Sequence, residues 1–230
     1  MKRHAYFPPE ALEARIAPAT HIWIGASGGA WSVAGNWNGG LPASGESGGT
    51  IVQFNGNTTS VFDTAGLVVD EIHFLATGNL IASPGFALGL DGSELPSNIV
   101  NDAGDNTIAV SIGLIGADSK VLVSAGSVTL GGDIFGGMGL KLQAGSAAGT
   151  LTLTGANDYT GATTVEDGTL AMASPPNSLP PSALTIGDGA GAAGSATVRL
   201  LADEQITNGG TLTIDRGCRC ESSALRRCEM

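Results

Sequence analysis

The stretch GTLTLTGANDYTGATTVEDGTLAM, residues 149–172, contains Gly-Thr-Leu twice, at 149–151 and at 168–170. Inside it Leu151-Thr152-Leu153 alternates apolar with polar, the period of a strand with one buried face. Working outward, Thr-Leu pairs stand at 129–130, 150–151, 169–170 and 211–212, at intervals of 21, 19 and 42. Alternating runs continue at Leu184-Thr185-Ile186 and Leu212-Thr213-Ile214 downstream, and at 108–115 (IAVSIGLI) and 121–130 (VLVSAGSVTL) upstream. Gly-rich and Asn- or Asp-containing segments separate the runs and supply residues that tolerate the positive φ of sharp corners. A strand-and-corner unit recurring about every twenty residues predicts a stacked architecture.

The chain shows no 3.6-residue periodicity, so helical repeats are excluded. The leucine-rich spacing L-x-x-L-x-L-x-x-N is absent as well. What fits is an all-β parallel β-helix with coils of about 20 residues, Leu, Ile and Val stacked inward and Thr and Asn outward. Composition agrees. Charged residues make up only 13%, about half the usual share of roughly 25%, and the apolar residues are interleaved with Thr, Ser, Asn and Gly. The expected organisation is an N-terminal targeting or flexible segment (1–20), a Trp-containing cap (21–48), the β-helix (49–215) and an atypical Cys/Arg-rich tail (216–230), disordered or truncated.

Net charge is −11, and residues 16–215 hold three Lys or Arg against seventeen Asp or Glu. That deficit of cations excludes nucleic-acid binding and docking on anionic lipid. Residues 72–90 lack charge, but Gly78, Asn79, Pro84 and Gly85 interrupt them, so buried strands and turns are expected there and no membrane insertion. All three cysteines, Cys218, Cys220 and Cys228, sit in the last thirteen residues, in a spacing that matches no zinc motif. At the other end, Ala17-Pro18-Ala19 resembles a cleavage site, although no apolar core precedes it.

All three tryptophans, Trp23, Trp31 and Trp37, lie within fifteen residues. Grouped aromatics can cover the open end of a stack. The competing expectation makes Trp31 and Trp37 a stacking platform for a sugar ligand.

The 149–172 stretch closely resembles the autotransporter-associated β-strand repeat, also called the passenger-associated transport repeat. That pattern runs roughly G-T-L-x-L-x-G-x-N-x-Y-x-G-x-T-x-V-x-x-G-T-L. Gly149, Leu151, Leu153, Gly155, Asn157, Tyr159, Gly161, Thr163 or Thr164, Val165, Gly168 and Leu170 occupy its positions. Asp158 and Gly161-Ala162 are mild departures. The W-x-x-A-x-N-W pattern from Trp31 to Trp37 and Ala11-Leu12-Glu13-Ala14-Arg15 are also similar to segments of large bacterial surface proteins. The resemblance implies a right-handed β-helix passenger, extracellular or displayed on the outer surface of a bacterium, with a structural, adhesive or secretion-assisting role. A surface glycan or host-cell ligand is the implied partner. With two Tyr and six Phe, the chain lacks the aromatic-girdled strands of an outer-membrane barrel, so a passenger fragment is expected.

No catalytic motif is present: neither G-x-S-x-G, nor H-E-x-x-H, nor a phosphate loop. The alternative to a non-enzymatic role is a carbohydrate-binding module or a polysaccharide-degrading β-helix enzyme. A lyase would have only Lys120, Lys141 and Arg199 as cationic groups in the body of the chain. A hydrolase would draw its paired carboxylates from Asp102 with Asp105, Glu166 with Asp167, or Asp203 with Glu204, all of which read better as solvated turn residues. His73, in Glu71-Ile72-His73-Phe74, reads as a strand residue. No cofactor is expected; NDAGDN (101–106) and GDG (187–189) are the only candidate calcium loops.

Overall fold

The computed structural model describes residues 16–145, 149–175, 183–188, 195–202, 205, 210–215 and 219–222. The Ala11–Arg15 motif, the Asp203/Glu204 pair, most of the expected N-terminal segment and most of the expected tail lie outside the described residues. Among the described residues the chain is all β, with no α-helix and a single 3-10 turn at Ala34–Asn36. It forms a β-solenoid with parallel sheets and a coil length of about 23 residues, slightly longer than the twenty read from the sequence.

Each coil passes along up to three faces, and each face is a sheet that takes one strand from each coil that crosses it. The first face runs through Thr50–Phe54, Glu71–Phe74, Ile99–Asn101, Ser119–Val123, Leu140–Ala144, Thr163–Val165, Ala183–Ile186 and Thr211–Ile214. The second runs through Thr59–Val61, Leu80–Ala82, Asp105–Ile108, Ser127–Leu130, Thr150–Leu153, Gly168–Met172 and Ala196–Leu200. The third holds Val68–Val69, Ala87–Asp91, Ser111–Ile115 and Ile134–Gly136.

Period-two alternation produces continuous apolar columns because like positions pair in register. On the first face the inward column is Val52, Ile72, Ile99, Val121, Leu142, Val165 and Ile186, every one buried. On the second, Ile81, Ile108, Leu130, Leu153 and Met172 stack in the same way. Adjacent rungs lie about 4.8 Å apart, so each branched side chain packs on the ones above and below. The first column ends at Ile214, paired with Ile186 but 40% exposed, and Leu212 beside it is 37% exposed.

The Thr-Leu pairs do not form one ladder. Leu151 does lie on Leu170, with Thr150 on Thr169. Thr129-Leu130 pairs instead with Thr152-Leu153, two residues along, and Thr211-Leu212 belongs to the first face, paired with Ala183-Leu184. The coil is 19 residues from Leu151 to Leu170 but 28 from Leu170 to Val198. Corners absorb the difference, since the strands alone must stay in register.

Of the expected tail only residues 219–222 are described. Arg219–Ser222 adds a strand to the second face, parallel to Thr197–Leu200. An open sheet edge offers backbone donors and acceptors whatever the composition of the strand that meets it.

Polar side chains inside the corners tie one coil to the next. Asn106 Nδ2 donates to Asn101 Oδ1 at 2.7 Å, and Asn79 donates from both its backbone N and its Nδ2 to Asn106 Oδ1. Asn98 Nδ2 reaches the carbonyls of Asp70 and Asp91, while its Oδ1 accepts from the Lys120 amide. These bonds satisfy backbone groups that strand pairing leaves open at a bend.

Candidate functional site

The 149–172 segment builds one circuit of the stack and begins the next. Thr150–Leu153 lies on Ser127–Leu130, with Leu151 and Leu153 inward and fully buried. The chain then bends at Gly155, where a Cβ would lie 2.1 Å from the Gly132 carbonyl oxygen of the coil beneath. Only glycine permits that approach. Asn157 follows, buried: its Oδ1 accepts from the Ile134 amide at 3.1 Å, and its Nδ2 donates to Ser174 Oγ at 3.1 Å. Ser174 in turn donates to the Leu153 carbonyl. One asparagine thereby links its own coil to the one below and the one above.

Residues 158–160 run along the third face, the amides of Asp158 and Thr160 donating to the carbonyls of Ile134 and Gly136. Tyr159 points inward from this segment and is fully buried, sharing a hydrogen bond of 2.5 Å with Thr163 Oγ1. Burial pushes its phenol up to about 12, with the Thr163 bond pulling the other way. At Gly161 a Cβ would lie 2.1 Å from the Gly139 nitrogen. Thr163–Val165 then crosses the first face, and Gly168, at φ +84°, turns the chain back to the second face under Leu170. Every motif side chain named here is directed to stacking, so the segment acts as a packing template.

The tryptophans form the cap. Trp23 and Trp31 each meet Trp37 edge to face, with ring centroids 5.0 Å apart, and Trp31 meets Phe62 in the same way at 5.1 Å. Phe54 sits below all three, and Phe74 continues the stack at 5.5 Å from Phe54. The W-x-x-A-x-N-W spacing has a local cause. The turn at Ala34–Asn36 brings Trp37 back antiparallel to Trp23, its Nε1 donating to the Trp31 carbonyl, while Asn36 Nδ2 donates to the Ala30 carbonyl. Trp31 is 1% exposed and Trp37 is also buried. Their ring faces are taken by one another and by phenylalanines, which leaves none for a sugar, so the stacking platform expected at Trp31 and Trp37 is not formed here.

The remaining chemical candidates are dispersed. His73 lies between Glu71 (3.3 Å, at Nδ1) and Asp102 (2.9 Å, at Nε2). The Glu71 bond, then the Asp102 bond, raises the imidazole above its ordinary value against the pull of burial. His73 in turn holds Asp102 below the usual carboxylate range. Asp105, the other half of that pair, accepts from Ser127 Oγ. Glu166 pairs with Lys141 at 3.2 Å, and Lys141 stands in register with Lys120. In NDAGDN, Asn101 and Asn106 point inward and bond to each other and to backbone carbonyls. Of GDG only Gly187 and Asp188 are described. Among the described residues no group of three or more His, Cys, Asp and Glu is placed to hold a metal ion.

A groove of about 310 Å³ that the sequence reading missed lies beside the third face, between Phe86 and Phe135. Of its lining only Ala109 and Ser111 fall in a run read from the sequence (108–115), and no spacing there places Phe86 beside Phe135.

The comparisons place the repeat where the residues did. The family model described as Passenger-associated-transport-repeat matches residues 148–172. No curated protein and no solved structure matches the chain.

Proposed function

We propose that this chain is a non-enzymatic β-solenoid passenger of an exported bacterial surface protein, with a structural or adhesive role outside the cell. The observation that supports it is the matched repeat, whose residues join three successive coils through side-chain bonds and glycine contacts. In this reading the repeat coil assists secretion. It offers an emerging segment a finished edge to stack on, so folding advances coil by coil on the far side of the membrane. The acidic body keeps such a rod soluble.

Protease treatment of intact cells that produce the chain tests the location. Digestion without lysis is the expected result, and protection until lysis would overturn the reading. A second arm tests the repeat. Gly155→Val and Gly161→Val drive a side chain into the coil beneath, and each is expected to lower the surface-exposed amount several-fold while synthesis is unchanged.

A further inference from the structure

The outward column of the third face reads Val68, Gly89, Gly113, Phe135. The two glycines let neighbouring side chains lie against the backbone: Val68 and Ile115 cover Gly89, and Phe135 covers Gly113. A Cβ at Gly113 would lie 3.1 Å from the Phe135 Cε2 and Cζ atoms. One edge of the ring is therefore seated on backbone, yet Phe135 stays 41% exposed. Across the groove Phe86 is 39% exposed, and a turn fixes its position. Ser83 Oγ accepts from the Phe86 amide and donates to the Phe86 carbonyl, both at 2.9 Å. Two partly exposed aromatic rings thus border the groove.

Between them stand the polar groups Ser111 and Asp133. Asp133 is exposed, and its Oδ1 accepts from the Ala156 amide at 2.8 Å, which orients the carboxylate. Among the described residues no Lys, Arg or His lines the groove. We infer that this groove is a binding site for a neutral glycan, whose C–H faces pack on Phe86 and Phe135 while its hydroxyls donate to Asp133 and bond to Ser111. Exposed rings beside a fixed carboxylate suit a ligand with apolar faces and many hydroxyls. A net charge of −11 and a carboxylate in the groove disfavour a polyuronate or sulfated chain.

The site does not depend on where the protein resides, so it fails or stands separately from the passenger reading. Isothermal titration of the full chain with cello-, chito- and malto-hexaose, with polygalacturonate as the acidic comparison, tests it. At least one neutral hexaose is expected to bind. Phe135→Ala should weaken that binding about tenfold, on the scale of one aromatic contact, and Asp133→Asn should weaken it too, with melting temperatures unchanged. Phe135→Leu keeps the apolar bulk and removes the ring, so it serves if the alanine variant unfolds. Absence of binding to all three neutral ligands, tighter binding of polygalacturonate, or full binding by both Phe135 variants would overturn the proposal.

Discussion

A single side chain in this fold acts on three coils at once. Leu151 is fully buried, paired with Val128 below and Leu170 above. Leu151→Asp places a carboxylate in that column with no cation to meet it, and the expected loss is at least about 4 kcal/mol. Urea denaturation followed by circular dichroism reads it. Tyr159 offers a subtler test. Its phenol titrates at about 12 when folded, against about 10 in an unfolded chain. The unfolded state therefore ionises first, and the stabilising difference is complete below about pH 10 and lost as pH rises towards 12. Tyr159→Phe should remove that alkaline slope. It should also cost about 1–2 kcal/mol at neutral pH, because Thr163 Oγ1 is left buried without its partner. Legibility differed sharply between these residues. Leu151 and Leu170 were readable as one rung because period two and a 19-residue echo define both face and register. Tyr159 was not readable as core, since one aromatic among Asn, Asp, Thr and Gly has no period to place it.

At the level of the element, strands were legible and corners were not. Each strand carries its own alternation, as in Ser119–Val123 with Ser119, Val121 and Val123 buried. Corner length carries no such signal. Of the third face only Ser111–Ile115 falls within a run read as alternating, because Gly89 and Gly113 replace the outward polar residue at the middle of Ala87–Asp91 and Ser111–Ile115 and weaken the signal. The Thr-Leu ladder misled for a related reason: Thr152-Leu153 and Thr150-Leu151 look alike, and only pairing distinguishes which meets Thr129-Leu130. Register makes a prediction about deletions. Removing residues 152–170 takes out one whole circuit and places Leu151 where Leu170 stood. The shortened chain should keep its β-sheet spectrum with a lower melting temperature, because each coil contacts chiefly its neighbours. Removing residues 152–161 takes out part of a circuit and directs a first-face strand elsewhere, so that chain should fail to fold. Circular dichroism on both variants decides the point.

For the molecule as a whole, the two ends are unlike. At one end the aromatic cap closes the stack, with Trp31 Nε1 donating to Ser60 Oγ beneath it. At the other, Leu212 and Ile214 carry inward-type positions that remain over a third exposed. Trp31→Ala should cost about 3–5 kcal/mol and expose Phe54 and Phe62. Hydrogen exchange should then show Thr50–Phe54 and Thr59–Val61 losing protection before Ser119–Val123. In the unaltered chain the order should reverse, with Thr211–Ile214 exchanging fastest among the first-face strands. The cap has one more consequence. Since every indole sits at one end, the emission spectrum is an end-specific reporter written into the chain, blind to the rest of the rod. Far-ultraviolet ellipticity averages over all coils. Heating one sample while recording both signals gives two curves, and the gap between them measures how far the open end has frayed before the closed end gives way.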